Sequence, residues 1–180
     1  MAPKIVLLRG VNLGPRNRIA MAELREALES AGFDDVRTYL QSGNVLLSTT
    51  KSTKQVTRDV ERLIADRFGL EIEVLVRTRA ELAKVVERNP LGKVARNPKR
   101  YQVTFLANAP RAEVLRKLEA AAFGKERVEH VGRELYAWHP DGVGRSKLAA
   151  LLAGKELGVT ATARNWATVL RLLELADASH

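Results

Sequence analysis

The residues of this 180-residue chain best suited to chemistry are basic and amide side chains gathered beside glycines. In Arg9-Gly10-Val11-Asn12-Leu13-Gly14-Pro15-Arg16-Asn17-Arg18, guanidinium and carboxamide donors stand next to glycines that leave backbone N–H groups accessible. That combination suits a phosphate or a carboxylate. Gly142-Val143-Gly144-Arg145-Ser146-Lys147 sets two cations at the start of an expected helix capped by Ser146. Cations there oppose the positive end of the helix dipole, a conflict that a bound anion would relieve. Thr162-Ala163-Arg164-Asn165-Trp166 reads as a further helix start, and Trp166 opens the apolar series Val169, Leu170, Leu173, which assigns it to the core. Each stretch also has a plainer reading, as a glycine-shaped turn with solvated arginines or as an ordinary helix cap.

Other chemistries are poorly provided for. Without cysteine the chain forms no disulfide, thiolate nucleophile or iron–sulfur site, which fits a reducing cytoplasm. His130, His139 and His180 lack ligand-like spacing, so neither a metal nor a cofactor is expected, and His130 and His139 are read as hairpin residues on sheet faces. Asp34-Asp35 lies in an expected turn, where solvated capping accounts for it. The usual hydrolase, zinc-protease, P-loop and dinucleotide signatures are missing from the sequence. If a reaction follows binding, transfer or hydrolysis at a phosphoryl or acyl group by charge stabilisation is the class these residues suit. The apolar run Ile5 to Leu8 is too brief for a signal-peptide core, and no stretch nears the roughly 20 apolar residues of a membrane span. A cytoplasmic protein is the expectation.

Formal net charge is +9, from 30 Lys and Arg against 21 Asp and Glu. Residues 79–117 carry most of the excess, 10 basic side chains against 3 acidic. Within them Lys93, Arg96, Lys99 and Arg100 form a basic loop without an acidic residue. Solvation explains such a loop; nucleic-acid binding, with affinity falling steeply as salt rises, is the alternative. Sequence-specific RNA reading is disfavoured, because Ile5–Leu8 and Val45–Ser48 lack the aromatics on which an RNA-recognition plait stacks bases.

The elements that must position these residues follow from periodicity and punctuation. Lys4 to Arg9 reads as a strand, followed by a helix through Met21, Leu24, Leu28 and Ala31 that ends at Gly32. Val36–Gln41 and Val45–Ser48 flank Ser42-Gly43-Asn44 as a hairpin. Ser52 and Gln55 form a capping box that opens a second helix, and Glu71–Arg77 alternates as a strand. The order βαββαβ is the ferredoxin-like plait. A second capping box, Thr78 with Glu81, opens a helix stopped at Asn89-Pro90. A strand from Tyr101, a helix from Pro110 to Phe123, a hairpin about Gly132, and helices at Ser146–Leu157 and about Asn165–Ala176 complete αβαββαα. The fold class is therefore α+β, with two ferredoxin-like modules at residues 1–78 and 79–180. Both alternating sets of the first strand are apolar, so both faces of its sheet are expected to be covered, the second by the other module or by another subunit.

The segments Leu8-Arg9-Gly10-Val11-Asn12-Leu13-Gly14, Met21-Ala22-Glu23-Leu24, Thr38-Tyr39-Leu40-Gln41-Ser42-Gly43-Asn44-Val45, Gly144-Arg145-Ser146-Lys147-Leu148 and Ala163-Arg164-Asn165-Trp166 resemble those of the domain of unknown function 1697 family. The resemblance implies a pair of α/β-plait modules in a bacterial cytoplasmic protein and brings no activity or cofactor with it. Lys93 to Arg100 lies outside the family pattern.

In a plait the first two strands are parallel, so the loop after the first strand and the hairpin after the second lie at one end of the sheet. Arg9, Asn12, Arg18, Ser42 and Asn44 are accordingly expected to be neighbours. The leading functional expectation is a small-anion site between the modules, built from these residues with Arg145, Ser146, Lys147, Arg164 and Asn165.

Overall fold

The computed structural model describes residues 1–178, which leaves His180 outside the described residues. The chain divides into two compact units, residues 1–83 with 171–178 of the C-terminal end, and residues 84–170.

The first unit contains β1 (Ala2–Leu8), α1 (Met21–Ser30), β2 (Asp34–Tyr39), β3 (Asn44–Thr49), α2 (Thr53–Phe68) and β4 (Val74–Thr78). The strands form one sheet in the order β2-β3-β1-β4, with β1 antiparallel to both β3 and β4. Because β3 also runs antiparallel to β2, strands β1 and β2 are parallel, as the plait requires. Val6, Leu8, Val45 and Leu47 on one face pack with Leu24 and Leu28 of α1 and with Val56, Val60 and Ile64 of α2. Ile5, Leu7 and Leu46 on the opposite face are buried as well, at 1% exposure or less. Burying alternate residues on both faces is why β1 reads as a continuous apolar run.

The helix boundaries follow from capping chemistry. Ser52 Oγ accepts the Gln55 N–H at 3.2 Å while Ser52 N–H donates to Gln55 Oε1 at 2.9 Å, a complete capping box on α2. Thr78 and Glu81 repeat it at the start of α3 (Arg79–Arg88), at 2.8 and 3.1 Å. Gly69, at φ 65°, ends α2 in the left-handed conformation that glycine tolerates best.

The second unit repeats the plan with β5 (Tyr101–Leu106), α4 (Ala112–Ala121), β6 (Arg127–Val131), β7 (Glu134–Trp138), α5 (Lys147–Ala153), a short 3₁₀ turn (Lys155–Leu157) and β8 (Ala161–Asn165), ending in α6 (Trp166–Asp177), whose last turns count with the first unit. Its order β6-β7-β5-β8 is that of the first sheet. Even the hydrogen bonds closing the strand ends recur. Leu8 N–H donates to Gly43 O and Arg9 N–H to Glu73 O; Leu106 N–H donates to Arg133 O and Ala107 N–H to Thr160 O. The architecture is thus α+β with two ferredoxin-like modules.

Two elements of the second half differ from the sequence reading. Residues 161–165, read there as the approach to a helix, form strand β8, so the second half runs αβαββαβα instead of αβαββαα. Only Thr162 in that segment is β-branched, but β5 offers it an open edge: Val103 pairs with Arg164 and Phe105 with Thr162. The demand of that unpaired edge overrides weak local propensity. Likewise the helix expected over Ser146–Leu157 breaks at Gly154, whose φ and ψ of −92° and −178° are extended.

Candidate functional site

In the first unit the loop after β1 and the β2–β3 turn meet, as the parallel arrangement of β1 and β2 demands. Asn12 is the hub. Its Nδ2 donates to Ile19 O at 2.9 Å and to Gln41 O at 2.7 Å, and its Oδ1 accepts the Ile19 N–H at 2.9 Å. Its backbone takes φ 55°, which asparagine tolerates better than most residues. Asn44 is fully buried and donates to Tyr39 O at 2.8 Å and to Ser42 Oγ at 3.2 Å. Arg18 Nη1 donates to Gly14 O at 3.1 Å, and Arg9 pairs with Glu73 at 3.4 Å. The amides of this cluster are therefore occupied in fastening a loop to a turn. Asn12→Ala is expected to destabilise the first unit by about 2 kcal/mol, through the loss of the side-chain bonds and the unpaired Ile19 N–H. Chemical denaturation would measure the loss, and faster amide exchange at Ile19 would locate it.

In the second unit, Arg164 is a strand residue, 7% exposed, with Nη1 donating to Thr162 Oγ1 and to Ala163 O, both at 2.8 Å. Burial lowers its pKa to about 10, so it stays charged at neutral pH. Asn165 Oδ1 accepts the Thr168 N–H at 2.9 Å and caps α6. Trp166 is buried and stacks on Tyr101 at 4.8 Å between ring centroids, a core contact.

Arg145 and Lys147 are placed differently. Both are exposed, and neither makes a hydrogen bond or ion pair among the described residues. They line a cleft of about 490 Å³ together with Ala120–Phe123 at the end of α4, Glu126, Asp141, Gly142 and Ser146. Phe123, 84% exposed, is the most exposed large apolar side chain. Residue type and spacing do not single out Phe123, Glu126 or Asp141. Phe123 does carry a usable signal: it follows the last turn of α4, outside the apolar set Val114, Leu115 and Leu118, and Gly124 succeeds it.

Beneath this cleft three polar groups converge. Glu126 Oε2 accepts from Ser146 Oγ at 2.5 Å and from His139 Nδ1 at 2.6 Å, and Glu126 Oε1 accepts the Phe123 N–H at 3.1 Å. Ser146 Oγ also accepts the Ala149 N–H at 3.0 Å, capping α5. Burial alone would raise the pKa of Glu126, but the bonds it accepts from Ser146, His139 and Phe123 hold it below the ordinary carboxylate value. This is not a hydrolase relay. There, histidine stands between serine and acid; here serine and histidine both end on the same carboxylate oxygen, and His139 Nε2 is buried without a partner. A carboxylate held acidic is also a weak base. The cluster fastens the turn at Phe123, the end of β7 and the cap of α5 into one wall.

The basic loop approaches the same end of the second sheet. Lys93, Arg96, Lys99 and Arg100 are all exposed. Arg96 Nε donates to Lys93 O at 3.4 Å, while the Arg100 guanidinium donates to Pro140 O. His139 N–H donates to Arg100 O at 3.0 Å and Trp166 N–H to Pro98 O at 3.1 Å. Loop 93–100, the loop bearing Arg145 and Lys147, and the start of α6 thus share one end of the unit. Another concavity of about 480 Å³, on the first unit, is lined by Phe33, Lys51, Asp59, Arg62, Asp66 and Arg67 among others. There Lys51 is paired with Asp59 at 2.6 Å, and Asp66 shares the lining with Arg62 and Arg67.

Comparison with known proteins bears on the fold. A family model described as "Protein of unknown function (DUF1697)" matches residues 1–136. The chain belongs to the DUF1697 family. Among solved structures, a conserved bacterial protein, SP0830 from Streptococcus pneumoniae, superposes with a TM-score of 0.80 at 19% identity, covering 97% of this chain and 98% of that one. At that identity the likeness concerns the fold. No curated protein matches the sequence. Among the described residues of this DUF1697 member, no helix is long and apolar enough to cross a membrane.

Proposed function

We propose that this protein binds a small anionic ligand, phosphate- or carboxylate-bearing, in the cleft of its second unit, and that it does so in the cytoplasm, a compartment its cysteine-free composition fits. The observation carrying the reading is that Arg145 and Lys147 line a cleft of about 490 Å³ without any acidic partner among the described residues. Surface cations usually find solvent or a carboxylate; two cations on the wall of a concavity of ligand size offer charge-assisted donors to a guest. The dipole of α5 adds nothing here, because the helix spans 7 residues and the Ala149 N–H is already bonded to Ser146. Ser146 belongs to the wall and not to the donor set, since its hydroxyl proton goes to Glu126.

Pyrophosphate or citrate at millimolar concentration, in a buffer free of competing anions, is expected to raise the melting temperature by mass action. The double variant Arg145→Ala/Lys147→Ala should melt unchanged without ligand and bind at least about tenfold more weakly, since a hydrogen bond to a charged group contributes about 1.5–3 kcal/mol. Absence of any shift with the unsubstituted protein would remove the reading.

A further inference from the structure

The lining of the cleft has three chemical parts, and a simple anion uses only one of them. Arg145 and Lys147 supply the cationic part. Phe123, with the alanines 120–122 beside it, supplies an apolar part, and its ring is 84% exposed where most phenylalanines are buried. Asp141 supplies a carboxylate that is exposed and makes no hydrogen bond or ion pair among the described residues. A carboxylate in the same lining as two cations is counterproductive for inorganic phosphate. It is useful to a ligand that carries hydroxyl donors as well as an anionic group.

We infer that the ligand is a nucleotide: the base lies against Phe123, the ribose hydroxyls donate to Asp141, and the phosphates meet Arg145 and Lys147. Stacking on an aromatic ring tolerates any base, because every base has a π-face, so the inference concerns the class and not one base. The cleft volume of about 490 Å³ lies in the range of small-ligand pockets. The main chain that carries Phe123 is also fixed. Its N–H donates to Glu126, whose other oxygen fixes Ser146 and His139, so the turn bearing the aromatic residue and the cationic loop are tied through one carboxylate. This inference rests on the anion-binding reading above and narrows it.

Calorimetric titration of the full chain with adenosine diphosphate, ribose 5-phosphate and inorganic pyrophosphate separates the two. The diphosphate nucleotide is expected to bind about tenfold or more tightly than pyrophosphate, the increment that stacking one base contributes. Phe123→Ala, at an exposed position that should leave folding intact, is expected to abolish that advantage and leave pyrophosphate affinity unchanged. Asp141→Asn is expected to weaken the nucleotide and ribose 5-phosphate, and to strengthen pyrophosphate by removing a negative charge. Pyrophosphate binding with no gain for the nucleotide would overturn the inference and leave the anion reading standing; no binding of any of the three would remove both. Tighter binding of a twelve-residue oligothymidylate than of the nucleotide, with a steep salt dependence, would also overturn it, in favour of nucleic-acid binding through Lys93, Arg96, Lys99 and Arg100.

Discussion

Replacing Glu126 with alanine is expected to lower the unfolding free energy by about 2–4 kcal/mol, because it removes the common acceptor of Phe123, Ser146 and His139 and leaves buried donors unpaired. The effect has a pH signature. Glu126 titrates below its ordinary value of 4.5 in the folded chain, so the unfolded state takes up a proton first as the solution is acidified. The stabilisation is fully present above the unfolded pKa and is lost as the pH falls through the folded one. Glu126→Gln, which keeps the shape and removes the charge, should therefore be less stable than the unsubstituted protein at pH 7. The gap should narrow steadily below about pH 4.5. Urea melts of both proteins between pH 3 and pH 7 check this, and a gap independent of pH would mean that the charge of Glu126 contributes nothing. Loss of the wall should also weaken ligand binding at pH 7, although Glu126 offers the ligand no donor.

The second large effect is expected at Gly43. Its φ of +88° lies where glycine is favoured, and a Cβ there would stand 2.7 Å from Val11 Cγ2 and 2.8 Å from Leu8 Cβ. Neither neighbour has room to move: Leu8 is fully buried and its N–H donates to Gly43 O at 2.9 Å, while Val11 is 1% exposed. Gly43→Ala thus combines left-handed strain with overpacking, for a total of about 3 kcal/mol. Gly10 makes the contrasting control. It has a similar φ of +67° but nothing lies within 4 Å of where a Cβ would stand, so Gly10→Ala should cost only the backbone term of about 1 kcal/mol. Equal losses at the two positions, measured by thermal or urea unfolding, would show that crowding against Leu8 and Val11 is not the cause.

Much of the fold was legible because the signals are local. The boxes Ser52/Gln55 and Thr78/Glu81 start helices where the hydroxyl and carboxyl spacing says they should. The alternation of Tyr101, Val103 and Phe105 marks β5, whose buried set includes those same residues. Strand β8 escaped because its evidence is relational. Its best signal was a repeat: Arg77-Thr78 precedes α3 as Arg164-Asn165 precedes α6, and in each pair the second residue caps the helix. Read as a repeat, the second segment inherits the strand of the first.

The candidate site was legible in part. Arg145 and Lys147 stood out as cations following glycines, and they line the cleft. Asn12, Asn44 and Asn165 stood out equally, because an amide suited to holding a ligand is equally suited to holding a backbone, and the side-chain type does not say which. Phe123, Glu126 and Asp141 reach the cleft from the end of α4, the turn before β6 and the loop after β7.

The sequence by itself determined where the helices with capping boxes start, that two similar α/β modules follow one another, and which chemistries lack their residues. Those properties depend on neighbours within a few positions along the chain. Tertiary structure alone decided which polar groups are already spent. Whether a donor is free depends on acceptors brought from distant segments, as when Gln41 claims Asn12 and Glu126 claims Ser146. Burial then weighs on the outcome, since a desolvated polar group is costly unless paired inside the protein and a solvated one remains available to a ligand.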